Sequence, residues 1–303
     1  RGEQSGFYPW QTFAAGSDKL WLEALNVYLP PKNVVFPQTE RMYNIKQEGQ
    51  DVKIDETYED SKSRVIFGAR ACDVKGITCM DDVFLTRGYE DSFYKARRQA
   101  TTIIANACYA PGIACFCSAM GVNHVDPEGA DIIIRDIGDG YVWETITEKG
   151  EMLTAWIADL LEAREVTLPE PKPFQQDVNY DGVAEKLKGM FEHPLWDKFS
   201  QTCQNCGICT YVCPSCYCFD IQVKMYGNEG YRFRCWDSCM YEEYTREAGG
   251  GNPRPASKER FRNRFLHKLE FFKERYGHPL CTGCGRCTVV CPAGISIVKI
   301  IDA

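Results

Sequence analysis

The stretch that decides the fold is Cys203-Gln-Asn-Cys206-Gly-Ile-Cys209-Thr-Tyr-Val-Cys213-Pro214, repeated as Cys281-Thr-Gly-Cys284-Gly-Arg-Cys287-Thr-Val-Val-Cys291-Pro292. Both copies match the spacing CxxCxxCxxxCP at every specified position. In this spacing, three cysteines at short intervals wrap one iron–sulfur cubane, and the fourth cysteine, which precedes proline, ligates the other cluster. A pair of zinc sites is the alternative interpretation, but a zinc ion needs only four ligands and gives no reason for the longer run.

The two motifs therefore predict two [4Fe-4S] clusters with crossed ligands. The first set of ligands is Cys203, Cys206, Cys209 and Cys291. The second set is Cys281, Cys284, Cys287 and Cys213. A glycine, Gly207 or Gly285, follows the second cysteine of each motif, where we expect any side chain to crowd the inorganic sulfides.

Cysteine accounts for 17 of the 303 residues, a density that indicates either disulfides or bound metal. The short, repeated spacing decides for metal, because a disulfide framework scatters its cysteines among loops. Thiolates held by metal imply a reducing compartment, and we expect the cytoplasm. A net charge of -7 argues against a nucleic-acid partner. No apolar run reaches about 18 residues, so we expect no membrane insertion.

Residues 1–180 predict an α/β domain with a mixed sheet. Four β-branched runs indicate strands, at Arg64–Gly68, Thr101–Ala105, Asp131–Arg135 and Tyr141–Thr145. Gly138-Asp-Gly140, between the last two runs, is a hairpin-turn signal. Apolar residues at helical spacing predict a helix over Glu151–Arg164, and three prolines predict a linker at Leu168–Phe174.

Residues 181–303 predict a mainly helical, ferredoxin-like domain that carries the two clusters. Lys258–Tyr276 has the pattern of a charged amphipathic helix. Residues 214–280 separate the two motifs, which is more than a compact bacterial ferredoxin uses. We therefore expect a large insertion between the motifs, with helices as the scaffold.

Several segments, within and beyond the motifs, resemble those of a known family and occur in the same order along the chain. They are Pro31–Gln38, Gly68–Asp73, Asp91–Arg98, Cys115–Cys117, Cys203–Asp220, Arg234–Cys239, Asn263–Lys268 and Cys281–Gly294. With these segments, nearly the whole chain resembles the beta subunit of cytoplasmic hydrogenase/sulfur reductases and its relative in anaerobic sulfite reductases. The resemblance implies a relay of electrons between a further redox subunit, of the hydrogenase, sulfur/sulfite or heterodisulfide reductase type, and a flavin/NAD(P)-binding subunit.

Four N-terminal cysteines follow predicted strands or share one loop, and we call them the N-terminal quartet: Cys72, Cys108, Cys115 and Cys117. Because strand ends form a ligand crevice at a sheet edge, and because the family pattern includes these positions, we expect a third [4Fe-4S] cluster there. In an extended CxC the two side chains face opposite ways, so we expect only one of Cys115 and Cys117 to point at a common metal unless the loop is tightly bent. That would leave three thiolates and one other or open coordination position. The alternatives are buried free thiols, or a cluster with an open iron that reduces a sulfur species.

The insertion contains a further set, a CxC followed by CxxxC: Cys216, Cys218, Cys235 and Cys239. It predicts an additional metal site, with zinc or a cluster as occupant, or else packing beside a cubane. Cys79 has no partner at ligand spacing and is predicted to be a core residue. The histidines at 124, 193, 267 and 278 form no HxH or HxxxH pair, and we assign them no catalytic role.

The chain lacks the motifs that hold nucleotides. No GxGxxG follows a strand, and no GxxxxGK[ST] is present. Without a flavin or nicotinamide site, a protein cannot convert a hydride into single electrons. The sequence therefore favours a non-catalytic electron-transfer subunit over an enzyme complete in itself.

Overall fold

Residues 25, 27–56 and 62–303 are described by the computed structural model. In that part of the chain, the first strands are β1 (Thr39–Glu48) and β2 (Asp51–Glu56), which pair antiparallel across a tight turn at Gly49. Gly49 has φ +66°, a left-handed conformation that glycine adopts without the steric penalty of a side chain.

All four predicted N-terminal strands are present and form one mixed sheet in the order β3-β4-β5-β6. They are β3 (Arg64–Ala69), β4 (Thr101–Asn106), β5 (Ile132–Asp136) and β6 (Tyr141–Thr145). β3, β4 and β5 are parallel, and β6 returns antiparallel to β5 through the predicted turn. Ile103, Ile104 and Ile132–Ile134 are buried on alternating faces, as expected for strands covered on both sides.

Three helices accompany this sheet: α1 (Ala71–Leu85), α2 (Ser92–Gln99) and α3 (Glu148–Ala155). Asp91 caps α2 by accepting a hydrogen bond from the Tyr94 backbone N–H at 2.8 Å. The prediction of a helix over Glu151–Arg164 is wrong in its second half. The observed helix, α3, begins earlier, where Thr147 caps it, and ends at Ala155. It ends there because Trp156 (84% exposed) and Leu160 (80% exposed) have no core to pack against.

Beyond a short 3₁₀ turn at Ala158–Leu160, the chain runs without helix or strand through the proline-rich stretch Leu168–Phe174, as predicted. The backbone N–H of Lys172 donates to the carbonyl of Tyr109 at 2.8 Å. The segment therefore lies along the N-terminal part of the molecule before it enters the cysteine-rich part.

The cysteine-rich part begins with three short helices, α4 (Val183–Lys188), α5 (Leu195–Ser200) and α6 (Ile208–Tyr211). The insertion then departs from the helical expectation, because it forms the strands β7 (Phe219–Tyr226) and β8 (Glu229–Trp236). Alternating side chains in this stretch, such as Tyr231, Phe233 and Cys235, suit a half-buried strand.

β8 pairs antiparallel with β1, so that a second sheet has the order β2-β1-β8-β7. This sheet joins residues from both sides of the predicted boundary at 180/181. Within it, Glu40 of β1 lies opposite Arg234 of β8, and the buried Arg234 guanidinium donates to the Glu40 carboxylate. Arg97 also donates to Glu40, at 2.7 Å. The two parts of the chain are therefore held together by backbone pairing and buried charge.

The helix predicted over Lys258–Tyr276 is confirmed, with one irregularity. It consists of α7 (Ser257–Leu266), a π-helical segment at His267–Phe271 and α8 (Phe272–Tyr276). Two short helices follow, α9 (Arg286–Val289) and α10 (Val298–Ile301). None of the helices in the described ranges combines the length and apolar content that crossing a lipid bilayer requires.

Candidate metal centre

The two cysteine motifs fold in the same way. In each, a glycine with positive φ, Gly207 (+73°) or Gly285 (+71°), starts a short helix, α6 or α9. A Cβ on Gly207 would lie 2.7 Å from the hydroxyl of Tyr241, and one on Gly285 would lie 2.6 Å from the carbonyl carbon of Ala114. In the structure, therefore, neighbouring protein atoms and the left-handed backbone require these glycines.

The cysteines of the first set, together with Cys287 of the second, line one cavity of about 500 Å³, counted with the open space at its mouth. Cys206 is exposed, whereas the other members of the set are partly buried. The rest of the wall is mainly apolar, with Ile208, Phe261 and Phe265 among its residues. Burial raises the pKa of Cys203, and the charges of Cys291 and Cys206 raise it further. The fourth cysteine of the second motif thus faces the first motif.

The cysteines of the second set lie deeper, and those at 213, 281 and 284 are buried. Burial raises the pKa of Cys281 to about 12 and that of Cys284 to about 11. Charge interactions link both thiols to Cys287 and to Cys213. The fourth cysteine of the first motif thus faces the second motif, which is the reciprocal of the arrangement around the cavity.

Two buried cations on α7 and the π segment face these thiols. Arg264 is next to Cys209 and Cys287, and therefore acts on both sets. Lys268 donates from Nζ to Sγ of Cys213 at 3.2 Å. Burial lowers the pKa of Lys268, but the charges of Cys213 and Cys216 outweigh this, and its pKa is raised. The sequence reasoning missed both cations, although their spacing of four residues on a predicted helix places them on one face.

The N-terminal quartet is brought together and is buried. Cys72 lies in the first turn of α1 rather than at a strand end, and Cys108 follows β4. The loop bends at Phe116 (φ −149°, ψ 35°), and a 3₁₀ turn starts at Cys117. Charge interactions join Cys117 to Cys115 and Cys108, and Cys72 to Cys117. The bend thus allows both cysteines of the CxC to face the rest of the quartet.

The quartet also lies directly against the second motif. The Phe116 backbone N–H donates to the carbonyl of Gly283 at 2.8 Å, and the Cys115 thiol is 3.8 Å from the carbonyl of Cys284. Charge interactions connect Cys284 with Cys72 and with Cys117. The three groups of cysteines therefore form a series, from the exposed Cys206 through the second set to the quartet.

Of the four insertion cysteines, the structure brings three together and leaves Cys235 apart, since charge interactions link Cys216 to both Cys218 and Cys239. Cys218 and Cys239 are hydrogen-bonded to each other, and Cys216 is hydrogen-bonded to Cys213. Cys235 is apart, on β8 opposite Asp220, and the charges near it are Asp220 and Asp237. Sequence spacing alone could not separate Cys235 from the others, because its position depends on which face of β8 it occupies.

One further prediction concerns an isolated cysteine. Cys79 is a core residue, as predicted: it is buried in a cluster with Phe272 and Leu280, and burial raises its pKa to about 12. Among the described residues, no three Cys, His, Asp or Glu side chains meet closely enough to hold a single metal ion.

Comparison with known proteins agrees with the cysteine pattern. Residues 202–295 match the model of the 4Fe-4S dicluster domain. The chain is 33% identical over 298 residues to sulfhydrogenase 2 subunit beta of Pyrococcus furiosus, an alignment that covers 94% of this chain and 85% of that protein. No solved structure matches the chain. The chain is thus an iron–sulfur electron-transfer subunit, and it belongs to the family of hydrogenase/sulfur reductase beta subunits.

Proposed function

We propose that this chain relays single electrons through two [4Fe-4S] clusters with crossed ligands, the first and second sets defined above. The observation that carries the proposal is the exchange of the fourth cysteine: Cys291 lines the cavity of the first motif, and Cys213 faces the second motif. This exchange is the arrangement that the CxxCxxCxxxCP spacing predicts.

The residues present fit a cubane. All the donors are thiols, which iron–sulfur clusters use, and those of the first set line one cavity whose remaining wall is mainly apolar. A zinc ion would draw four sulfurs to about 2.3 Å from one point, and the thiols do not converge in that way. When bound, a cubane supplies the capacity to accept and donate one electron. Arg264 and Lys268 supply positive charge that offsets the thiolates.

We further propose that the N-terminal quartet holds a third [4Fe-4S] cluster. Four buried thiols face one another, so the quartet offers a thiolate for every iron. The alternative, an open iron that reduces a sulfur species directly, gains no support from this count. In the full chain, replacing Cys117 with Ala should lower the iron content by about four ions per chain. An unchanged iron content would favour buried free thiols.

The series of cysteine groups suggests where partners dock. Cys206 is the exposed end of the first set, so we propose that one redox partner approaches there. The relative carries the name sulfhydrogenase, and this chain lacks a nucleotide motif. We therefore propose two partners, a flavin/NAD(P)-binding subunit plus a further redox subunit, in the reducing cytoplasm of an anaerobic organism.

The crossed ligands can be tested by comparing spectra of cysteine variants of the full chain, reconstituted anaerobically. Cys213→Ala should reproduce the electron paramagnetic resonance spectrum of Cys287→Ala, because both remove a ligand from the second set. It should differ from Cys209→Ala, which damages the first set. Cys79→Ala is the matched control, since Cys79 is a buried thiol outside all sets. A Cys213→Ala spectrum like that of Cys209→Ala contradicts the crossed assignment.

The relay role has its own test. The purified chain should be reduced by dithionite but not by NAD(P)H, because a hydride carries two electrons and a flavin must stand between it and a one-electron centre. Addition of a flavoprotein partner should restore reduction by NAD(P)H. Reduction by NAD(P)H in the demonstrated absence of flavin overturns the relay assignment.

A further inference from the structure

Lys268 is a cation enclosed by the protein at the second set of cysteines. It is 3% exposed, and its Nζ lies 3.2 Å from Sγ of Cys213 and 3.3 Å from Oγ of Ser215. Among the described residues, these two atoms are its hydrogen-bond partners, and no carboxylate forms an ion pair with it. Within the described part of the chain, therefore, no carboxylate balances the charge of this ammonium group.

The backbone holds Lys268 firmly in this place. It belongs to the π-helical segment between α7 and α8, and π turns within helices occur frequently at functional sites. Its carbonyl accepts a hydrogen bond from the Leu280 backbone N–H at 2.9 Å, next to Cys281. Ser215 donates to the carbonyl of Leu280 at 2.6 Å. The segments that carry Cys213, Lys268 and Cys281 are thus joined by hydrogen bonds.

An enclosed ammonium group costs free energy unless an anion lies beside it. Neutral thiols do not provide that compensation, whereas a cubane with four thiolates has a net negative charge. The charge becomes more negative by one when the cluster accepts an electron. A cation beside a ligand sulfur therefore stabilises the reduced state more than the oxidised state, and the effect is strong away from water.

The two sets differ in this respect. Arg264 faces Cys209 and Cys287, so it acts on both sets. Lys268 contacts only the second set, through Cys213. Lys32, the other buried lysine nearby, points its Nζ at the carbonyl of Cys216 at 2.6 Å and lies over the ring of Trp236. Charge interactions also reach Cys213 from Lys32 and Cys284 from Arg286, and Lys268 adds direct contact with a ligand sulfur of the second set.

We propose that Lys268 raises the reduction potential of the cluster held by the second set, and so favours transfer of electrons from the first set to the second. The inference rests on the ligand sets proposed above. Lys268 acts through the sulfur of Cys213, as a positioning and charge-setting residue. It does not exchange electrons itself.

The test is a redox titration of the full, reconstituted chain, monitored by electron paramagnetic resonance. Lys268→Met and Lys268→Gln both remove the charge, one with an apolar and one with a polar side chain, so that the interior can accept at least one of them. In either variant we expect one midpoint potential to fall and the others to stay unchanged. Lys268→Arg keeps the charge, and its midpoint should remain close to that of the unmodified chain.

Two controls separate this inference from the proposed function. Lys258 lies on α7, which continues into the segment of Lys268, and it forms a partly exposed ion pair with Asp197 of α5. Lys258→Met therefore removes an equal charge, and it should shift no midpoint potential. Iron and sulfide are measured on every sample. Full iron with unmoved midpoints in the neutral Lys268 variants overturns the inference and leaves the relay intact. An unmodified chain that cannot be loaded with iron overturns the proposed function itself.

Discussion

Arg286 and Asp73 form an ion pair that is closed to solvent, with side-chain exposures of 0% and 3%. The two side chains meet twice, at 2.8 Å and 3.0 Å. Arg286 lies between Cys284 and Cys287 of the second motif, and Asp73 follows Cys72 of the quartet. The pair therefore joins two groups of cysteines that lie more than 200 residues apart in sequence.

Replacing Asp73 with Ala should destabilise the protein strongly, because the buried Arg286 charge loses its carboxylate partner and, among the described residues, keeps a hydrogen bond only to the neutral carbonyl of Val27. We expect the free energy of unfolding to fall by about 3–5 kcal/mol. Denaturant titration of the full chain measures this change. Asp197→Ala, which breaks the partly exposed pair with Lys258, should have little effect. Equal denaturation midpoints for the two variants would show that the buried ion pair stabilises the fold no more than the partly exposed one.

Gly283→Ala should disturb the junction between the quartet and the second motif. Gly283 has φ +65°, and a Cβ there would lie 2.6 Å from the backbone nitrogen of Cys117. Gly277→Ala is a matched control, since Gly277 has φ +86° with nothing within 4 Å, and its cost is limited to backbone strain of about 1–2 kcal/mol. We expect Gly283→Ala to lose iron and stability, and Gly277→Ala to retain its iron. Retention of full iron by both variants contradicts this close approach.

Cys235→Ser should leave the iron content, sulfide content and visible spectrum unchanged. Its thiol is beside Asp220 and Asp237, apart from the other cysteines of the insertion. Cys213→Ser, measured in parallel, should lose part of its iron because Cys213 belongs to the second set. A loss of iron from Cys235→Ser would restore the metal site predicted for all four insertion cysteines.

His267 should make stability depend on pH. Burial and the nearby cations of Lys268 and Arg275 lower the pKa of His267 to about 4, and its Nε2 is 3.0 Å from the Tyr217 hydroxyl. Below pH 6.5, the unfolded chain binds a proton here that the folded chain does not, so folding stability falls as the pH falls towards 4. Between pH 7 and pH 5, we expect this group to remove about 2 kcal/mol.

The effect is measured as the difference between the unmodified chain and His267→Gln in thermal unfolding from pH 7 to pH 5. Acid sensitivity that the two proteins share cancels in this difference. The variant should lose less stability over the interval. Parallel curves would mean that His267 takes up its proton in the folded chain as readily as in the unfolded one.

Local patterns predicted local structure well. β-branched runs marked the strands of the first sheet, and the charged amphipathic pattern marked Lys258–Tyr276. The helix expected over Glu151–Arg164 ended early, because apolar spacing extends a helix only where a core covers the apolar face. The strands β7 and β8 were missed, although they form a local hairpin in which Tyr226 lies opposite Glu229. What the local pattern could not show is that β8 also pairs with β1, nearly 200 residues away in sequence.

By itself, the sequence determined that this chain holds iron–sulfur clusters, because the spacing within each motif places three thiols around one point over a few residues. The tertiary structure alone decided which distant groups surround those thiols. It gathered the quartet against Cys284, enclosed Lys268 beside Cys213, and turned Cys235 away. Such contacts depend on how segments far apart in the chain pack and pair. They also depend on burial, because the interaction between two charges is stronger away from water.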